Sequence, residues 1–286
     1  MEYVFFLATV ICVWIIFSVA ANLVVGYTGL MSIGHAAYLA IGAYTAASLN
    51  IFLGLNFLIA LPIAAVVTAV FAMLTVVPLL KLDTFYFALA TMGLNVVVAD
   101  TIHNAGPRVP GTEGLFGVTL PDLLASSEAR MMLALVLAAA CVAAAQWIVS
   151  SPYGRSLRAL RDREDALRSL GKNPRYFQIS IWGVSGFLSG IAGAMYATTL
   201  FYIDPTVFAL TVSFVLLVYI GVGGLASILG SILGPTLLIA FSEGLRFVGL
   251  PSDVAGQTQQ FLYGLLLIGL MIFRRQGLVG TYDFKE

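Results

Sequence analysis

The chain has 286 residues, 60% of them hydrophobic and only 10% charged, and its formal net charge is zero. Soluble domains carry about 25% charged residues, so a water-soluble globular protein is excluded, and no basic field favours a nucleic-acid partner. Mean hydropathy is +0.99, and apolar runs recur along the whole length. These features define an all-α, polytopic membrane protein built as one helical bundle over 1–286.

The first run, 3–21, has no basic residue before it and reads as a retained span, not a cleaved leader. It holds Cys12; Cys141 lies in another apolar run. Two such cysteines form no disulfide framework and no metal-binding spacing.

The second run, 26–49, reads GYTGLMSIGHAAYLAIGAYTAASL and is interrupted by glycine. Projected on a helix, Gly29, Ser32, Ala36, Ala40 and Ala43 share an arc of about 80°. Small residues so spaced make a smooth face for close helix approach. His35 and Gly42 project to a neighbouring face. Gly26 and Gly29 permit local unwinding, which is tolerated at membrane depth only where protein or a watery cavity covers it.

Further spans are expected at 56–80, 84–102, 131–149, 178–200, 208–222, 229–248 and 258–273, giving nine in all, with eight to ten as the working range. Between the fourth and fifth lies a Gly/Pro-rich loop, roughly 103–130. Asp100 and His103 read as a solvated helix end, and Glu243 with Arg246 as a local ion pair at the interface.

The least membrane-like part is the loop 150–176, SSPYGRSLRALRDREDALRSLGKNPRY flanked by further polar residues. Pro152 suits a helix start; Gly171 and Asn173-Pro174 suit its end. One helix is expected between them. Leu157, Leu160, Leu167 and Leu170 fall in one arc, and Arg158, Arg161, Asp162, Asp165 and Arg168 in the other. Two readings stand at this point: a helix lying on lipid, its arginines meeting headgroups, or a helix docking its leucines in a partner's groove.

Orientation follows lysine and arginine. Placing 150–176 and the C-terminal tail in the cytoplasm puts eleven of the fourteen inside, with Arg108, Arg130 and Arg246 outside. Five spans precede the loop, so the N-terminus is expected outside.

Two segments echo each other. GYTGLMSIG (26–34) and GVGGLASILG (221–230) share G-x-x-G-L-x-S-I, as a transporter repeat with matching broken helices would. Thr28, Ser32 and Ser227 then become candidates for a translocation path. His35 is a further candidate, although a structural hydrogen bond to a neighbouring span is its favoured role.

Enzymatic chemistry finds no support. The lysines occur as Lys81-Leu82, Lys172-Asn173 and Lys285-Glu286, so no Gly-rich Lys-Ser/Thr phosphate loop exists. Ionisable groups within the spans are scattered and not clustered.

The stretches 26–49 and 154–197, with GVGGLASILGSILGPTLLIAF (221–241), FLYGLLLIGLMIFRRQGLVG (261–280) and PGTEGL (110–115), resemble the LivM-type membrane permease subunits of branched-chain amino acid ABC importers. EDALRSLG (164–171) is similar to the ABC-permease coupling motif through Glu164, Ala166 and Gly171, with Asp165 where many members have alanine. The resemblance implies a coupling helix, carrying Leu157, Leu160, Arg161, Glu164, Ala166, Leu167, Leu170 and Gly171, seated in a cleft of an ATPase subunit. It implies a second homologous permease subunit, two ATPase subunits that bind the ATP and Mg, and an outer substrate-binding protein. It further implies a bacterial-type inner membrane, no cofactor in this chain, and leucine, isoleucine and valine as cargo. Urea or short-amide permeases share the pattern. A channel without ATPase partners is the remaining alternative, and the 155–171 helix argues against it.

Overall fold

The computed structural model describes residues 2–105, 115–121, 124, 126–200, 202–246, 261, 264–265, 269 and 277–280. Among them, six helices are long and apolar enough to cross a membrane. They are α1 (Glu2–Thr28), α2 (His35–Leu53), α3 (Phe57–Leu79), α4 (Thr84–His103), α5 (Ser127–Ser150) and α8 (Pro174–Leu200). Between α5 and α8 lie two short helices, α6 (Pro152–Asp162) and α7 (Glu164–Ser169). Two more, α9 (Leu210–Gly223) and α10 (Ile228–Arg246), follow a 3-10 turn at Pro205–Phe208. Most of the expected ninth span, 258–273, and most of PGTEGL lie outside the described residues.

Helix α8 is the centre of the bundle and packs on α3, α2 and α1. Its glycines permit this. A Cβ at Gly42 would come within 2.6 Å of the Gly190 Cα, so α2 and α8 touch through backbone. In lipid no hydrophobic drive pulls helices together, so close van der Waals packing of small residues must do it. The outer faces carry large apolar side chains: Leu74, Val97 and Trp147 are 67%, 61% and 76% exposed. Surface of that kind is suited to lipid.

The expected helix over 26–49 is two pieces. Helix α1 continues through Thr28, residues 29–34 form a break, and α2 starts at His35. Gly29 and Ser32 therefore leave the proposed small-residue arc, because the 100° projection holds only inside a helix. Ala36, Ala40 and Ala43 are buried on α2, but Gly42, projected to the neighbouring face, makes the backbone contact.

Contacts between loops fix which ends share a side. Two short strands, β1 (Leu115–Phe116) and β2 (Tyr202–Ile203), pair antiparallel and join the segment after α4 to the segment after α8. On the same side, Asn50 near the end of α2 donates to the Thr119 carbonyl at 3.0 Å and accepts from its N–H at 2.7 Å. Helices α9 and α10 meet at 116°. The start of α10 lies beside Asn22, late in α1, while the Tyr3 hydroxyl, early in α1, donates to Glu243 late in α10. Thus α10 runs antiparallel to α1.

Candidate functional site

The site is built from two helix breaks and the α6–α7 pair beside them. At the first break, Gly29 takes φ +74°, a left-handed conformation that costs other residues about 1–2 kcal/mol. Backbone freed from helices must find partners inside a membrane, and here side chains from several helices provide them. The Ile33 N–H donates to Thr91 Oγ1 of α4 at 3.1 Å. The Ala36 N–H donates to Ser213 Oγ of α9 at 3.0 Å. Thr28 and Ser32 accept from Leu30 and Gly34 N–H, each at 3.4 Å.

The second break spans Gly224–Ser227 and follows the same G-x-x-G-L-x-S-I pattern. Gly224 stands where Gly29 stands in the first copy, also with positive φ (+123°), and Ala226 has φ +57°. One residue of a distant helix makes four of its contacts. Asn22, fully buried on α1, accepts from the Ala226 N–H at 3.0 Å. Its amide nitrogen lies 2.9 Å from the Ser227 carbonyl, 2.7 Å from Ser231 Oγ and 3.4 Å from the Gly224 carbonyl. Ser227 Oγ accepts from the Gly230 N–H at 3.1 Å, capping α10. Leu278 and Val279 N–H donate to the Val222 and Gly223 carbonyls at 2.9 and 3.0 Å.

Asn22 was missed by sequence reasoning. Its signal was a lone amide in an apolar run, one turn before Gly26; its partners lie some 200 residues away, beyond any local pattern.

Thr28, Ser32 and Ser227 are all buried and bonded to nearby backbone. His35 is buried at the start of α2, its Nε2 3.4 Å from Ser185 Oγ on α8. Ser185 gives its only proton to the Ala20 carbonyl at 2.8 Å, so His35 Nε2 must be the donor. The imidazole sits against Trp182 and Tyr38, with ring centroids 5.5 and 5.9 Å away. Among the described residues, no three His, Cys, Asp or Glu side chains converge as metal ligands.

The helix expected between Pro152 and Gly171 is broken at Arg163, whose backbone is extended (φ −157°, ψ 107°). Ser151 caps the start of α6 through the Gly154 N–H at 3.4 Å. Gly171, with φ +73°, closes α7 in a Schellman arrangement: Lys172 N–H reaches the Leu167 carbonyl at 3.3 Å. The leucine arc does not face outward. Leu157, Leu160 and Leu167 are buried in this chain, and only Leu170 is exposed. A leucine stripe reads the same whether it covers its own protein or a partner, and here the bundle takes it. What α7 presents outward is Asp165, Ala166, Arg168 and Ser169, followed by Leu170 and Gly171. Glu164 pairs with Arg168 at 2.6 Å. Tyr153 and Ser180 hydroxyls, 2.5 Å apart, tie α6 to α8; burial raises the Tyr153 phenol above its usual pKa.

Apolar spans, paired breaks and an amphipathic helix pair beside them define a membrane-spanning transport subunit. The family description "Branched-chain amino acid transport system / permease component" matches residues 3–271, and the chain belongs to this family. It is 29% identical over 300 residues to the high-affinity branched-chain amino acid transport system permease protein LivM of Escherichia coli (strain K12), covering 96% of this chain and 69% of that one. It is 23% identical over 246 residues to the probable LivM of Methanocaldococcus jannaschii, covering 80% and 70%. It is also 27% identical over 204 residues to the autoinducer 2 import system permease protein LsrC of Photorhabdus laumondii, covering 68% and 57%. The family is one of transport permeases, and the chain is a multi-pass membrane protein.

Proposed function

We propose that the chain is one permease subunit of an ABC importer for leucine, isoleucine and valine. It works beside a second homologous permease, two ATPase subunits that bind ATP and Mg, and an outer binding protein. The whole of 1–286 acts as a single transmembrane domain, with α6–α7 as its coupling element in the cytoplasm.

The observation that carries this reading is the outward face of α7. Leu157, Leu160 and Leu167 anchor the pair to the bundle, which leaves Ala166, Leu170 and Gly171 free for an ATPase cleft. A small docking surface on a firm base suits force transmission better than a loosely held helix. The helix count and two contacts support the orientation. Five long helices precede α6; α6 bonds to the end of α1; and 277–279 bond at the inner end of α9, on the same side. The basic residues of 150–176 favour the cytoplasm for that side, which puts the N-terminus outside.

Branched-chain cargo rests on similarity to LivM along 96% of the chain, against 68% for the LsrC relative. Uptake of labelled leucine, urea and autoinducer 2 by the complete reconstituted transporter decides among them; leucine uptake well above the other two is expected, and urea or autoinducer 2 uptake without leucine would overturn the cargo. Ala166→Glu with Leu170→Glu should abolish co-purification of the ATPase subunits while the melting temperature stays unchanged. Retained binding would remove α7 as the docking face.

A further inference from the structure

Arg161 was grouped with the docking residues, yet its side chain turns inward and is only 12% exposed. Its Nη1 donates to the Gly26 carbonyl at 3.0 Å. A Cβ at Gly29 would come within 3.0 Å of the Arg161 Cγ. Gly26 lies in the last turn of α1, where carbonyls have no partner within the helix. A guanidinium there satisfies one of them and meets the negative end of the helix dipole. One turn earlier on α1, Asn22 bonds Gly224, Ala226 and Ser227 within the second break and Ser231 in the first turn of α10. Gly26 stands between the two. A Cβ there would come within 2.0 Å of Asn22 Oδ1 and 2.5 Å of the Ala226 nitrogen. An unbroken series of contacts therefore runs from α6, through the C-terminal turn of α1, to the joint between α9 and α10.

We propose that Arg161 and Asn22 are positioning residues of one relay, which converts displacement of α6 into a change of angle between α9 and α10. The proposal rests on the coupling role given above to α6–α7. Neither residue is assigned a contact with cargo. Each makes directional hydrogen bonds to backbone, which carry displacement where apolar surfaces would slide. The element being moved is a bent pair on a four-residue joint, and such joints absorb large dihedral changes. The first break lies on the same route, because Arg161 packs beneath Gly29.

The test uses the complete transporter in proteoliposomes, with ATP hydrolysis and labelled-leucine uptake measured together. Arg161→Met removes the donors but keeps the length. The ATPase subunits should still co-purify and hydrolyse ATP, while leucine moved per ATP falls about tenfold, within the range of site-to-site coupling. Asn22→Ser should show the same loss, and the double variant no more than either alone, because the two act in series. Arg161→Lys keeps the charge at the α1 terminus without the forked donor; it provides a second, milder variant, expected to lose roughly threefold. Unchanged leucine per ATP in Arg161→Met, or multiplying losses in the double variant, would overturn the relay. Loss of ATPase co-purification in Arg161→Met would overturn it too, by putting Arg161 in the docking contact. An unmutated transporter that takes up leucine without ATP overturns the coupling reading itself, a failure distinguishable from these.

Discussion

The two helix breaks share G-x-x-G-L-x-S-I but are held in opposite ways. The first spreads its backbone partners over Thr91 on α4, Ser213 on α9 and its own Thr28 and Ser32. The second draws most of its long-range support from one side chain, Asn22, which bonds four groups around the joint, while its own Ser227 and Ser231 add local bonds. The same local pattern thus specifies where a helix stops and not how the freed backbone is satisfied. Distributed support makes a break that tolerates loss of any one partner. Concentrated support makes a joint that one residue commands.

This contrast predicts a graded series of effects, read by thermal unfolding in detergent and by folded yield. Asn22→Leu should be the most damaging. It removes the acceptor of the Ala226 N–H and the amide donor to the Gly224 and Ser227 carbonyls, and each buried polar group that loses its partner costs about 1–3 kcal/mol. A loss of roughly 2–5 kcal/mol is expected; a loss under about 1 kcal/mol would show that the second break has other support. Gly26→Ala should follow, at about 1–3 kcal/mol for overpacking, because its Cβ collides with both Asn22 and Ala226. Leu157→Ala, which empties a fully buried site in α6, should cost about 2–5 kcal/mol by the cavity rule and so overlap these two. It differs in loosening the α6–α7 base and not a break. Ser213→Ala and Thr91→Val should be mildest, near 0.6 kcal/mol each, the average for hydrogen bonds between membrane helices. If either matched Asn22→Leu, the contrast between distributed and concentrated support would collapse.

The glycines legible in the sequence marked both breaks. Gly29 and Gly224 adopt positive φ at equivalent places in the two copies, as a repeat of broken helices would require. The small-residue arc was legible only in part. Ala36, Ala40 and Ala43 belong to α2, but the projection ran through Gly29 and Ser32, where no helix exists. The docking surface was misread in a more instructive way. The periodicity of Leu157, Leu160 and Leu167 is real, yet an apolar stripe does not name what covers it. The break at Arg163 gives α6 and α7 separate axes, and Leu157, Leu160 and Leu167 are all buried in the chain's own bundle.

Composition and local pattern alone determined the membrane class, the positions of most spans, the basic helical loop and the points where helices stop. These follow from hydropathy and from glycine's freedom at positive φ, both properties of short stretches of chain. Tertiary structure alone decided that α9 and α10 double back along α1, that α6 buries its leucines, and that Arg161 and Asn22 reach the breaks. Those outcomes depend on partners up to 240 residues apart, as in Tyr3 with Glu243. In a membrane, backbone released from a helix must be paired by whichever side chain the bundle brings to it. That choice is made by packing, and no local period records it.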